Sequence, residues 1–166
     1  VAVMVENRPA FFFITVGLAK LGVTAALLNT NARGKALAHA CQATNSNHII
    51  VGAECLQHIE ATPELSALKL KSFMLEDSEI QTPLPADFID LGALLANANT
   101  TNPPRQWREG LLAKDDIFNV FTSGTTGMPK AAHMSHMRWL NTGEINTLVL
   151  STKADDVFYC FLPLYH

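Results

Sequence analysis

Short apolar runs alternate with helical segments along this chain, and that alternation is the strongest constraint on its fold. The runs that predict strands are 1–5, 23–28, 48–51 and, more weakly, 72–75. The helices predicted between them are 10–21, 33–44 and a short one from residue 53. Strands that are apolar throughout are typical of a parallel sheet covered on both faces. The pattern therefore predicts an α/β fold with a mainly parallel sheet flanked by helices.

The character of the sequence changes between residues 78 and 110. Four prolines and a run of asparagine and threonine predict a loop-rich connection there, with one short helix at 91–96. Regular patterning returns with a predicted strand at 116–121. A predicted helix at 135–148 and a predicted strand at 157–162 complete the chain.

The segment 121–130 combines four hydroxyl side chains, two glycines and a lysine directly after a predicted strand. Hydroxyl and backbone N–H groups donate hydrogen bonds, glycine permits close approach of an anion, and Lys130 adds positive charge. This combination suits a polyphosphate, with ATP the obvious candidate. Gly124 and Lys130 keep the spacing of a Walker A loop, but Pro129 and Ala131 replace its second glycine and its hydroxyl residue. A solvated turn is the alternative, although a turn rarely combines all these features.

The elements around this loop bear on its role. Ligands of open α/β sheets bind beyond the carboxyl ends of the strands, where a loop that follows a strand would lie. The helix predicted from residue 135 would add N–H donors only if its start points at the ligand. Pro129 and the gap before residue 135 leave that orientation undecided.

Composition excludes several classes of function. The 166 residues are 48% hydrophobic and 16% charged, with a net charge of −3 and no run of Lys or Arg, so we expect no nucleic-acid partner. Cys41, Cys55 and Cys160 are too far apart to indicate a disulfide framework or a zinc site. His133 and His136 could share a helix face, but two ligands are too few, so we expect no metal site.

The apolar stretch 10–28 contains Lys20 and Gly22. This interruption favours a core helix followed by a buried strand over a membrane span. No signal peptide is visible.

Two motifs resemble those of the adenylate-forming superfamily, which includes acyl-CoA synthetases, peptide-synthetase adenylation domains and luciferases. Segment 122–130 matches the phosphate-loop signature of that superfamily, and Leu-Pro-Leu-Tyr-His at 162–166 resembles the motif that follows it. The order of residues over 1–29 is also similar. Within the superfamily, three segments resemble the fatty-acid transport proteins and very-long-chain acyl-CoA synthetases, namely 129–132, 135–136 and 156–160.

The resemblance implies an enzyme that activates a long- or very-long-chain fatty acid with ATP to an acyl-adenylate and transfers the acyl group to coenzyme A. Mg²⁺ would accompany the ATP, with a ligand from a threonine of the loop or from outside these residues. His166 would lie beside the reacting carboxylate as the catalytic residue. The residues implied to bind the nucleotide are Thr122, Ser123, Gly124, Thr125, Thr126, Gly127 and Lys130.

The chain begins with Val1 inside a predicted strand and ends at His166 directly after one. We therefore expect residues 1–166 to be an incomplete portion of a large N-terminal domain, without the C-terminal domain and inactive alone. Two alternatives stay open: an adenylate-forming enzyme for an aryl, short-chain or amino acid, and a non-catalytic module that binds a nucleotide or a fatty acid. The full-length protein is expected to be cytoplasmic or peripherally associated with a membrane.

Overall fold

The computed structural model describes residues 1–76, 82–122 and 127–166. The strands formed by these residues are β1 (Ala2–Met4), β2 (Ala25–Leu27), β3 (His48–Gly52), β4 (Lys71–Leu75), β5 (Phe88–Asp90), β6 (Asp116–Thr122) and β7 (Lys130–Ser135). The α-helices are α1 (Pro9–Lys20), α2 (Gly34–Ala43), α3 (Leu56–Glu60), α4 (Leu91–Ala96) and α5 (His136–Leu150).

The strands make one sheet in the order β5-β4-β3-β1-β2-β6-β7. All pairs among β1 to β6 are parallel, and β7 pairs antiparallel to β6 at one edge. The predicted α/β fold with a mainly parallel sheet is therefore confirmed.

The central strands are buried on both faces, as their unbroken apolar sequences predict. Ala2 and Met4 of β1 pack in a cluster with buried residues of α2 and α3, and Val3 packs in a second cluster with Phe11 of α1. Because successive side chains of a strand point to opposite faces, these two clusters lie on opposite sides of the sheet. Helix α2 buries Leu37, Ala40 and Cys41.

Helix α1 has the end signals that its sequence predicts. Pro9 occupies the first turn, where the missing N–H costs nothing. Gly22 follows the helix with a φ of +72°, a left-handed conformation that glycine adopts without strain. The connection to β2 therefore turns sharply, which places α1 against the sheet.

Sequence patterning does not predict the two edge strands. β7 reads Lys-Ala-Ala-His-Met-Ser and is mostly half-buried or exposed, so it lacks the apolar pattern of a core strand and forms by pairing with β6. β5 has three residues within the proline-rich connection. The short helix predicted at 91–96 is present as α4, and a 3₁₀ turn at Arg105–Arg108 follows it.

The prediction of a strand at 157–162 is wrong. These residues have no regular structure, and their side chains are largely exposed, with Val157 at 95% and Tyr159 at 88%. In the part of the chain that the structure describes, no neighbouring strand offers backbone hydrogen bonds to this segment. An apolar run does not form a strand without a partner.

Helix α5 also presents apolar residues to solvent, including Leu140, Leu148 and Val149. No helix of the described residues is long and apolar enough to cross a membrane.

Thr62 generates a stability prediction. Its hydroxyl donates to the carbonyl oxygen of His58 at 2.7 Å and accepts from the first N–H of α2, that of Gly34, at 3.0 Å. The side chain is only 2% exposed, so Thr62→Val would leave that N–H without its acceptor inside the protein. We expect this variant to lose about 1–3 kcal/mol of unfolding free energy, measured by urea denaturation.

The matched control is Thr44→Val. The Thr44 hydroxyl bonds to nearby groups, the carbonyls of Ala40 and Cys41 and the hydroxyl of Ser46, which is itself half-buried. Its loss should therefore cost less than about 0.5 kcal/mol. Equal stability losses in the two variants would contradict the role assigned to Thr62.

Candidate phosphate-binding site

The carboxyl ends of β1 to β6 lie side by side, because these strands are parallel. We call this side of the sheet, where the strands end, its carboxyl edge, as distinct from the outer strands β5 and β7. The connections that leave this edge after β1, β3 and β6 carry most of the polar residues considered below. Ligands of open α/β sheets bind at such an edge. It is therefore the place where the predicted nucleotide-binding residues belong.

The predicted phosphate loop joins β6 to β7 as a hairpin. Thr122, the last residue of β6, lies opposite Lys130, the first residue of β7. The Thr122 hydroxyl points at the Lys130 carbonyl oxygen at 3.5 Å, a distance at the limit of a hydrogen bond. Gly127, with a φ of +81°, adopts a left-handed conformation that glycine takes without strain. Ser123, Gly124, Thr125 and Thr126 lie outside the described residues.

The structure shows that the helix after the loop does not point its start at the hairpin. β7 runs back along β6, and α5 begins beside the amino end of β6, where the N–H of His136 donates to the Asp115 carbonyl at 3.0 Å. The first turn of α5 is capped by Ser135, whose hydroxyl accepts from Arg138. The start of α5 therefore lies at the opposite edge of the sheet and offers no N–H groups to an anion at the hairpin. In this respect the loop differs from a Walker A loop, which runs directly into a helix.

The described end of the hairpin presents a hydroxyl and an ammonium group to solvent. Thr122 and Lys130 are both exposed. A positive charge beside hydroxyl and backbone donors favours binding of a polyanion. The chemistry of these two side chains therefore agrees with the phosphate role predicted for the segment.

The segment that carries His166 lies at the same edge. The side chain of Asn7, in the connection after β1, hydrogen-bonds to the backbone of Leu162 and Leu164. β1 and β6 are separated by one strand, so their carboxyl ends lie roughly 10 Å apart at the usual strand spacing. His166 is exposed, and its ring lies against that of Tyr165. The described ends of the hairpin and the segment 162–166, which are separated in sequence, therefore lie along the same edge of the sheet.

A partly buried ion pair supports this edge. Arg8 Nη2 lies 3.1 Å from Glu54 Oε2, and the two side chains are 17% and 7% exposed. The other carboxylate oxygen of Glu54 accepts from the N–H of Glu6 at 2.9 Å. Gly52 leaves room for this carboxylate, since a Cβ there would lie 2.2 Å from Glu54 Oε1. Sequence reasoning does not assign roles to these residues, although charged residues directly after buried strands are a usable signal.

The cysteines near the core are not suited to nucleophilic chemistry. Burial raises the pKa of the Cys55 thiol to about 12, with a further contribution from the negative charge of Glu54. Burial likewise raises the pKa of Cys41 to about 11. Because the thiolate is the reactive form, both thiols stay protonated and unreactive at neutral pH.

The histidines considered as metal ligands lie on different elements. His133 is on β7, with its Nδ1 atom 2.5 Å from Asp116 Oδ2, whereas His136 begins α5. They do not share a helix face. Within the described ranges, no group of three or more His, Cys, Asp or Glu side chains could hold a metal ion.

Comparison with known proteins agrees with both the sheet and the motifs. The sequence profile of the AMP-binding enzyme family matches residues 1–166. Long-chain fatty acid transport protein 1 of Rattus norvegicus is 39% identical over 166 residues, which is 100% of this chain and 25% of that protein. Long-chain fatty acid transport protein 6 of Homo sapiens is 35% identical over 167 residues, again 100% of this chain and 26% of that protein.

A solved structure shares the fold. The crystal structure of an acyl-CoA synthetase from Brucella canis superposes with a TM-score of 0.77 at 17% identity, covering 98% of this chain and 28% of that one. The chain thus spans about a quarter of the length of the curated relatives it matches. With its whole length matched by the family profile, this chain belongs to the AMP-binding enzyme family.

Proposed function

We propose that residues 1–166 form the phosphate-binding part of the AMP-binding domain of a long- or very-long-chain fatty acid–CoA ligase. The observation that carries the proposal is the shared carboxyl edge, where the Thr122–Lys130 hairpin end and the His166 segment both lie. The similarity to long-chain fatty acid transport proteins supports the choice of a fatty acid as the substrate. The remainder of such an enzyme, including a C-terminal domain, would be supplied by residues outside this chain.

The proposed reaction has two steps. The fatty acid carboxylate attacks the α-phosphorus of ATP, which forms an acyl-adenylate and releases pyrophosphate. The thiol of coenzyme A then attacks the acyl carbonyl, which forms the thioester and releases AMP. Transfers of this kind depend on charge neutralisation and positioning more than on covalent help from the protein.

The hairpin would act in the first step. Lys130 and the hydroxyls of Thr122, Ser123, Thr125 and Thr126 would hold the β- and γ-phosphates, and Gly124 and Gly127 would allow the backbone to approach them. Negative charge accumulates on the departing pyrophosphate, so a fixed ammonium group lowers the barrier as well as binding the substrate. Mg²⁺ would be held mainly by phosphate oxygens, with a loop threonine or a residue outside this chain completing its ligands.

His166 would act at the acid. Its exposed side chain ends the segment held at the carboxyl edge, from which it could face a carboxylate placed in line with the phosphates. We also propose peripheral membrane association of the full-length protein, which the resemblance to fatty acid transport proteins implies.

An acid-panel assay of the full-length protein tests this function. Long- and very-long-chain fatty acids should give ATP-dependent pyrophosphate release and a CoA thioester, whereas isolated residues 1–166 should give neither product. An aryl, short-chain or amino acid as the best substrate would move the enzyme to another branch of the family. Nucleotide or fatty acid binding by the full-length protein without pyrophosphate release would favour the non-catalytic module.

Lys130→Ala tests, in the same protein, whether this lysine binds the phosphates of ATP. Loss of a charge-assisted contact should raise the KM for ATP and lower kcat, with a combined loss of roughly 10- to 100-fold in kcat/KM. Lys130→Arg should retain part of this activity because it keeps the charge.

The matched control is Lys114→Ala, which removes an exposed lysine just before the amino end of β6, the strand that pairs with β7. It should leave kcat/KM for ATP unchanged. Equal effects of the two alanine variants, or no effect of either, would contradict the role assigned to Lys130.

A further inference from the structure

The side chain of Asn7 bridges two peptide groups of the segment that ends at His166. Its Nδ2 atom donates to the carbonyl oxygen of Leu162 at 2.8 Å, and its Oδ1 atom accepts from the N–H of Leu164 at 2.8 Å. A primary amide that donates and accepts side by side reproduces the hydrogen bonds that a neighbouring strand would make. Asn7 therefore takes the place of a strand partner for residues 162–164.

The bridged segment has few other attachments. Residues 157–162 are exposed and without regular structure. The second anchor is Tyr165, which is 7% exposed and packs, together with half-buried Leu164, in the cluster that contains Val3, Val5 and Phe11. Both anchors therefore connect this segment to β1 and α1, and His166 follows the second anchor directly. The N–H of His166 also donates to the Pro163 carbonyl at 3.2 Å, which closes a turn at the end of the segment.

Asn7 itself sits between two residues that the ion pair holds. The N–H of Glu6 donates to Glu54 Oε1, and the Arg8 guanidinium contacts Glu54 Oε2. The same guanidinium donates to the carbonyl oxygens of Leu75 and Glu76 at 3.2 and 3.1 Å. The backbone on either side of Asn7 is thus tied to the ends of β3 and β4. A side chain whose backbone is held in place can fix the position of the segment to which it hydrogen-bonds.

We propose that Asn7 is a positioning residue that holds the Leu162–Leu164 backbone and thereby sets the place of His166 at the carboxyl edge. The catalytic consequence rests on the proposed function, in which His166 faces the reacting carboxylate. Asn7 does not contact substrate in this account, and it acts through the segment. Loss of the bridge should misplace His166 while leaving the hairpin end at Lys130 intact.

The kinetic test uses the full-length protein and acid-dependent pyrophosphate release. Asn7→Ala should lower kcat by roughly 10- to 100-fold, because small misplacements of a reacting group have effects of that size. The KM for ATP should change by less than about threefold, since the phosphate contacts are made elsewhere.

Asn7→Asp separates the bridge from a local structural role. An aspartate next to the start of α1 can accept hydrogen bonds from the backbone as well as asparagine does. It cannot donate to the Leu162 carbonyl and places a second oxygen against it. We therefore expect Asn7→Asp to be as impaired as Asn7→Ala. Full activity of Asn7→Asp would overturn the bridging role.

A double-mutant cycle tests whether Asn7 acts through His166. In a His166→Ala background, the effect of Asn7→Ala should shrink to less than about threefold. Losses that multiply in the double variant would show that Asn7 acts independently of His166 and would overturn the proposal.

Hydrogen exchange provides a readout that does not depend on activity. The Leu164 amide should exchange about tenfold faster in Asn7→Ala than in the unmodified full-length protein. The control is Asn97→Ala, which removes an exposed amide that bonds only to its own helix at Ala93 and should leave Leu164 unchanged. Unchanged exchange in Asn7→Ala overturns the bridge. If the unmodified protein releases no pyrophosphate, the proposed function fails, and exchange at Leu164 still decides the bridge.

Discussion

The parallel alignment of β1 to β6 is the constraint on which the rest of this structure depends. Because β1 to β6 are parallel, they all end at the same edge of the sheet, and residues far apart in sequence are brought together there. The connection after β1, the turn after β3 and the hairpin after β6 share this edge. Among the described strands only β7 runs antiparallel, and its reversal places the start of α5 at the opposite edge. In the proposed function, phosphate contacts at the hairpin would therefore come from the loop and its lysine, without N–H groups from the start of α5.

Side chains complete the hydrogen bonding where the strands end. Backbone groups beyond a strand have no ladder partner, and buried ones without a partner are costly. Glu54 accepts from the N–H of Glu6, and Arg8 donates to the carbonyls at the carboxyl end of β4, those of Leu75 and Glu76. The Asn7 side chain pairs with the backbone of residues 162 and 164. Removing one partner of a buried ion pair typically costs about 3–5 kcal/mol, whereas the pair itself adds little net stability. The contribution of Arg8 and Glu54 is therefore chiefly to fix where the connection after β1 lies.

Sequence reasoning predicts the core strands and the long helices because their signals are local. Unbroken apolar runs mark β1 to β3, and Pro9 and Gly22 mark the ends of α1. It fails where pairing decides the outcome. β7 has a polar sequence and forms a strand because β6 is beside it, whereas residues 157–162 are apolar and form none. The motif residues are recognisable in the sequence because the hydroxyl, glycine, lysine and histidine residues lie close together in two short segments. Asn7, Arg8 and Glu54 are not, because their partners are distant in sequence and are identified only by the fold.

In the proposed function, the end of the hairpin binds the phosphates of a nucleotide at the edge that also holds His166. The most direct test is a crystal structure of the full-length protein with a non-hydrolysable ATP analogue. Phosphate oxygens should lie about 2.7–3.2 Å from Lys130 Nζ and from the loop hydroxyls, and His166 should face the α-phosphate side of the same edge. A well-ordered nucleotide whose phosphates lie away from the hairpin end would contradict the proposed function.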